Sequence, residues 1–281
     1  MARTSIVTDS TSGLDPEEAR ALGIAIIPVH IEISGQTYRE NVDISATEAY
    51  QLLSSDSVLP HTSPPTIHEF HLLFRELARE SDEILAIHLS GRLGATVNVA
   101  RQAAQSFVSR TRVTVVDSRL VATPLGWLAM AASEAAAAGV DAREIVRLLR
   151  AMTPHMYLAF FVETLEQLRE SGISWRAPAI ATTATAAKPL LMIEEGEIVP
   201  LERSRSRGRA IDRLYEFVTE FSHLERIAIL QGRPMPEAIE LATLINEEMP
   251  EQPVETRSYP ASVAAYLGTD ALGVAVYEGL A

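Results

Sequence analysis

Hydrophobic and polar positions follow two rhythms along this chain. Short apolar runs, Ser5 to Asp9, Ile84 to Leu89 and Arg112 to Asp117, have the composition of strands covered on both faces. Between them lie helical patterns. Asp15 and Pro16 start a short helix to Leu22, closed by Gly23. Thr66 and Glu69 form a capping-box pair ahead of Ile67, Phe70, Leu73, Phe74 and Leu77, an apolar stripe at helical spacing. Further helices are predicted from Ala95 to Val108, from Pro124 to Ala138 and, capped by Asp141 and Glu144, to Met152. Ile24 to Ile33 reads as one extended segment, returning through Ser34-Gly35 along Gln36 to Arg39, with a helix from Ser45 to Ser54.

The alternation of strand and helix implies a mostly parallel sheet with helices on both faces. After Pro154 the pattern changes. Met156 to Val162 reads as a strand and Thr164 to Ser171 as a short helix. Lys188 to Ile193 and Glu197 to Val199 form a hairpin. A helix from Arg209 to Phe221, a strand from Arg226 to Leu230, a helix from Pro236 to Glu248 and strands at Pro253 to Ser258 and Gly273 to Tyr277 follow. The expected fold is α/β with two domains. Residues 1–154 form an N-terminal parallel sheet flanked by helices, and residues 155–281 form a mixed C-terminal α/β domain.

One stretch concentrates the chemistry. The run from Ile84 to Leu89 is followed by Ser90, Gly91, Arg92, Leu93 and Gly94, then by a run without Gly or Pro. Strand, tight turn and helix leave backbone N–H groups pointing at a ligand, at the positive end of a helix dipole. Ser90 adds a hydroxyl and Arg92 a positive charge, so a small acidic group is the expected occupant. A turn needed only for chain reversal uses the same Ser and Gly residues. On a second stretch, His61 to Thr66, Pro64 and Pro65 stiffen the backbone and display Thr62 and Ser63.

Composition narrows the functions. Cys is absent, which excludes disulfides and thiolate chemistry. The net charge of −13 argues against nucleic acid and anionic membranes as partners. No apolar run approaches membrane-spanning length and the N-terminus lacks a signal-peptide core, so a cytoplasmic protein without stable membrane insertion is expected. Against the overall charge, Arg203, Arg205, Arg207 and Arg209 alternate with small residues; if extended, they form one basic ridge suited to carboxylate or phosphate. A solvated charge run fits the same pattern.

His61, His68 and His71 complete no metal spacing, so no metal is expected. No phosphate-binding, dinucleotide or nucleophile-elbow pattern is present. Asp9 and Asp117 both end predicted strands. There they either cap the following turns or serve as the general base of an enzyme acting on a small phosphorylated or carboxylated metabolite.

Seven short motifs, in order, resemble the DegV family of bacterial fatty-acid-binding proteins. Thr8-Asp9-Ser10-Thr11 is similar to its opening Thr-Asp-Ser, Thr62-Ser63-Pro64-Pro65 to its Thr-Ser-Gln-Pro loop, and Ser90 to Ala100 to its Ser-Ser-Gly-Leu-Ser-Gly-Thr turn and helix. Val116-Asp117-Ser118, Thr164 to Leu168, Lys188-Pro189-Leu190-Leu191 and Gly196 through Arg205-Ser206 to Ala210 complete the set. The resemblance implies a long-chain fatty acid such as palmitate in a tunnel between the two domains. No other cofactor is implied. Its carboxylate would be held by Thr62, Ser63, Ser90, Gly91, Arg92, Gly94 and Thr96. The resemblance also implies a non-catalytic role, presenting the fatty acid to a separate kinase subunit, with Arg205 and Tyr266 toward the phosphate or partner.

The chain departs from the family in places. The second Ser of the turn falls on Gly94, Arg92 stands where Gly is usual, and Tyr266 to Asp270 replace a His-Thr-Gly-Pro-Gly motif. Ser171-Gly172-Ile173 replaces Gly-Gly-Arg. Arg92 either compensates for the hydroxyl missing at Gly94 by pairing with the carboxylate, or points to solvent or to an acid of the second domain.

Overall fold

The computed structural model describes residues 3–55, 59–170, 188–204 and 206–280. The first half runs β1 (Thr4–Asp9), α1 (Pro16–Ala21), β2 (Ile24–Ile27), β3 (His30–Ile33), β4 (Gln36–Arg39), α2 (Ala46–Ser55) and β5 (His61–Ser63). It continues with α3 (Ile67–Leu77), β6 (Glu83–His88), α4 (Thr96–Ser106), β7 (Arg112–Asp117), α5 (Ala122–Ala137) and α6 (Ala142–Met152). The second half runs β8 (Met156–Phe161), α7 (Glu166–Glu170), β9 (Lys188–Glu194), β10 (Glu197–Ser204), α8 (Arg207–Thr219) and β11 (Arg226–Gln231). It ends with α9 (Pro236–Glu248), β12 (Val254–Ser258), α10 (Ala261–Leu267) and β13 (Leu272–Tyr277).

The helices start where their caps put them. Asp15 accepts from the N–H groups of Glu17 and Glu18, Asp141 from those of Arg143 and Glu144, and Thr66 and Glu69 close a reciprocal capping box. The stripe on α3 buries Phe70 and Phe74, each worth about 1.5–3 kcal/mol of apolar burial.

The described residues form three sheets. A parallel sheet has the order β2-β1-β6-β7, and a six-stranded mixed sheet the order β10-β9-β8-β13-β11-β12, antiparallel except for β11 with β12. The segment Ile24 to Ile33 is not one strand. Pro28, which lacks an N–H, separates β2 in the parallel sheet from β3, which joins β4 and β5 in a small third sheet.

Helix α5 lies between the two large sheets and is buried on every side over Ala122 to Ala129. Its Gly126 lets the helix approach the chain closely: a Cβ there would lie 2.8 Å from the Ser12 carbonyl oxygen. One continuous apolar core, holding Ile6 and Leu85 from the parallel sheet with Leu158 and Leu230 from the mixed sheet, joins the two halves.

Helix α10 is absent from the sequence reading. Among its residues Ala261 to Ala265 and Leu267 are all buried and no side chain caps it, so it has neither an amphipathic stripe nor a start signal. The extended basic ridge is also not formed. Strand β10 ends at Ser204, and Ser206 accepts from the Arg209 N–H to start α8, which puts Arg207 and Arg209 on a helix. Arg207 pairs with Glu163 and Glu237, 2.6 Å each, and stacks 4.9 Å from the centre of the Phe161 ring. Arg205 and the Ser171-Gly172-Ile173 departure lie outside the described residues.

Candidate functional site

Strands β1 and β6 end side by side, and their last residues organise the loops above the parallel sheet. The buried Asp9 carboxylate accepts from the Thr11 N–H (3.1 Å) and hydroxyl on one oxygen. Its other oxygen bonds the Leu89 N–H (2.9 Å) and His88 Nδ1 (3.0 Å). The turn after β6 then closes on itself. The Ser90 carbonyl accepts from the N–H groups of Leu93 (2.9 Å) and Gly94 (3.1 Å), and Asp117 accepts from the N–H of Gly91 (3.2 Å) and of Arg119 (3.0 Å). Both candidate bases, Asp9 and Asp117, are therefore occupied in capping turns.

The N–H groups of this turn are thus largely satisfied internally. Those beyond it differ: Ala95 precedes α4 without a side-chain cap, leaving the first turn of the helix uncapped. Ala95, Thr96 and Asn98 at that helix end line a cavity of about 450 Å³. This is a favourable environment for an anion.

The cavity draws on both halves of the chain. Thr11, Val29, Thr62, Ser63 and the stretch from Leu89 to Thr96, apart from Ser90, line it from the first half. Leu158, Phe160, Ile193, Ile198, Leu230 and Leu272 supply apolar wall from the mixed sheet, and Ser262, Val263 and Tyr266 from α10. Its volume falls within the range of small-molecule sites, and few polar groups interrupt the apolar walls.

Thr62 and Ser63 reach the cavity from β5, where Thr62 is registered against Ile31 and Ser63 against His30. They belong to a strand rather than to a loop. The Thr62 hydroxyl is hydrogen-bonded to that of Tyr266 on α10, which brings together two residues far apart in sequence. Beneath α10, the buried Glu40 carboxyl accepts from the Ser262 N–H (2.8 Å) and hydroxyl (2.7 Å). Burial pushes that carboxyl above the usual carboxylate range, against the opposing pull of its bonds from Ser10 and Ser262.

Of the residues expected at a head group, Thr62, Ser63, Gly91, Arg92, Gly94 and Thr96 all line this cavity, as does Tyr266. Ser90 does not. It is 1% exposed, and its hydroxyl donates to the Gly196 carbonyl at 2.7 Å. The Arg92 guanidinium pairs with Glu197 at 2.7 Å, an acid of the second half of the chain. Thr11 and Ser262 are cavity residues that the sequence did not single out as ligands. Thr11 follows Asp9 within a recognised motif, whereas Ser262 carries no local signal. Among the described residues no three His, Cys, Asp or Glu side chains converge as a metal site, and no helix is long and apolar enough to cross a membrane.

Comparison with known proteins agrees with this architecture. A protein from Deinococcus radiodurans containing a DegV domain is 33% identical over 280 residues, 97% of each chain. The structure of a fatty-acid-binding DegV family protein from Thermus thermophilus superposes with a TM-score of 0.88 at 29% identity, covering 99% of this chain and 100% of that one. DegV of Bacillus subtilis, a fatty-acid-binding protein, gives a TM-score of 0.90 at 28% identity with the same coverage. The model of the family described as uncharacterised proteins of the DegV family matches residues 3–279, and the chain belongs to that family.

Proposed function

We propose that this protein binds a long-chain fatty acid, with the acyl chain among the apolar walls of the cavity and the carboxylate at its polar end. The observation that carries this is the pairing of apolar walls from Leu158, Phe160 and Leu230 with the hydroxyls of Thr62, Ser63 and Thr96. The uncapped start of α4 lines the same cavity. An acyl chain loses its contact with water there, and the charge meets donors instead of a desolvated wall. The fatty-acid-binding relatives at 28% and 29% identity support the same reading.

The proposed role is that of a cytoplasmic carrier rather than an enzyme; in its support, Asp9 and Asp117 are engaged in turns and do not line the cavity. Presentation of the fatty acid to a separate kinase subunit, the role in which the resemblance involves Arg205 and Tyr266, is the further part of the proposal.

Native mass spectrometry of protein purified from a bacterial host tests the binding. A co-purified mass equal to a long-chain fatty acid, lost on delipidation and regained on adding palmitate, is the expected result. Protein that carries no acyl ligand and takes up none overturns the proposal. Mixing the palmitate-loaded protein with a fatty-acid kinase subunit and ATP tests the second part, which fails if no acyl phosphate forms.

A further inference from the structure

The wall formed by β9 and β10 is built differently from the rest of the cavity. Strand β9 pairs with β8 only over Leu190 to Met192, while the hairpin continues to Glu194 and Glu197. Beyond Met192 the hairpin therefore leaves β8, whose Met156 to Leu158 stay paired with β13 alone, and its tip carries Ile193 and Ile198 into the cavity wall, 6% and 4% exposed. The tip rests on the turn after β6. Ser90 donates to the Gly196 carbonyl at 2.7 Å, and Arg92 pairs with Glu197 at 2.7 Å.

The contact is too close for a side chain at position 196, where a Cβ would lie 2.4 Å from the Ser90 hydroxyl. Gly196 also has φ +82°, in the left-handed region that favours glycine. The buried Ser90 has spent its hydroxyl on this junction, and the half-exposed Arg92 has spent its charge there.

We propose that Ser90 and Arg92 are positioning residues that latch the hairpin tip, holding Ile193 and Ile198 against the acyl chain. On this reading they set how fast the chain exchanges and do not recognise the carboxylate. The inference rests on the proposed fatty-acid binding, and it predicts that their effects ignore the head group.

Release of palmitate and of hexadecanol, followed by stopped-flow displacement with a fluorescent fatty acid, separates the two roles. Ser90→Ala is expected to speed release of acid and alcohol alike by about tenfold, the factor for a buried hydrogen bond left incomplete. Arg92→Glu is expected to speed both by about threefold, since the pair is partly exposed, and Arg92→Glu with Glu197→Arg to restore the original rate. Ser90→Ala should also raise hydrogen exchange at residues 193–198 in the ligand-free protein while leaving β11 and β13 protected.

An effect on palmitate alone would make Ser90 or Arg92 a head-group ligand and overturn the proposal. Failure of the charge swap to restore the rate, or unchanged exchange at the tip, would overturn it too. Wild-type protein that binds neither compound removes the fatty-acid reading, while the exchange comparison still decides the latch.

Discussion

Asp9 and His88 meet in the buried seam between the two central parallel strands, with a carboxylate oxygen 3.0 Å from the imidazole Nδ1 and both side chains fully shielded from water. The same carboxylate holds the Thr11 and Leu89 N–H groups, so one side chain ties together two loops that border the cavity. The His88 ring packs edge-on against Phe70, 5.3 Å between centres. Nδ1 faces a carboxylate oxygen, which accepts, so Nδ1 donates to Asp9, while Nε2 has no partner among the described residues.

Asp9→Asn tests that arrangement. The Asn oxygen can still accept from Thr11, but its amide then faces the Leu89 N–H, donor against donor. A buried N–H without an acceptor, together with a broken buried pair, should cost about 3 kcal/mol in urea unfolding. A general base would behave differently, leaving stability nearly unchanged. A loss below about 0.5 kcal/mol, within the range of substitutions that disturb nothing special, would remove Asp9 as the tie between the loops.

Glu40 gives a pH signature. Its carboxyl is raised above the ordinary value of 4.5 chiefly by burial, so the folded chain holds the proton more tightly than the unfolded chain does. A raised carboxyl contributes stability that is fully present below 4.5 and is lost as pH rises through the folded value. Gln does not titrate. The melting temperature of Glu40→Gln should therefore gain on the wild type between pH 5 and pH 8. A difference independent of pH would show that Glu40 does not titrate in this range.

Local features of the sequence were written into the fold almost directly. The Asp15, Thr66 and Asp141 caps formed as expected, and so did the strand from Arg112 to Asp117. That Thr62, Ser63, Gly94 and Thr96 line one cavity fits the short motifs in which they were noticed. What escaped depends on distant partners. Nothing near Ser90 signals that Gly196 will take its hydroxyl, and nothing near Arg92 selects Glu197 over a ligand. Helix α10 escaped because burial on all sides erases the periodicity by which helices are recognised.

Gly94 marks another long-range limit, set by packing. A Cβ at this position would lie 2.8 Å from a terminal methyl of Leu89, which itself lines the cavity. Gly94→Ser should then cost about 1–3 kcal/mol, as overpacking does, unless Leu89 turns away. Leu89→Ala in the same chain should recover most of that loss, measured by thermal or urea unfolding as a double-mutant cycle. Additive losses would show that something other than Leu89 excludes a side chain here.

The head-group site itself is tested at Thr62. Its hydroxyl meets that of Tyr266, and both residues line the same cavity as the start of α4. Thr62→Val keeps the shape of the side chain and removes the hydroxyl. A carboxylate held there loses one charge-assisted hydrogen bond, so palmitate binding by titration calorimetry should weaken by about 1.5–3 kcal/mol. Tyr266→Phe discriminates further. If the phenol only orients the Thr62 hydroxyl, its removal costs less than the loss of Thr62, and the double variant binds no worse than Thr62→Val. If the phenol also donates to the carboxylate, the double variant is weaker than either single one. Unchanged affinity in Thr62→Val would place the carboxylate away from β5, at another part of the cavity wall.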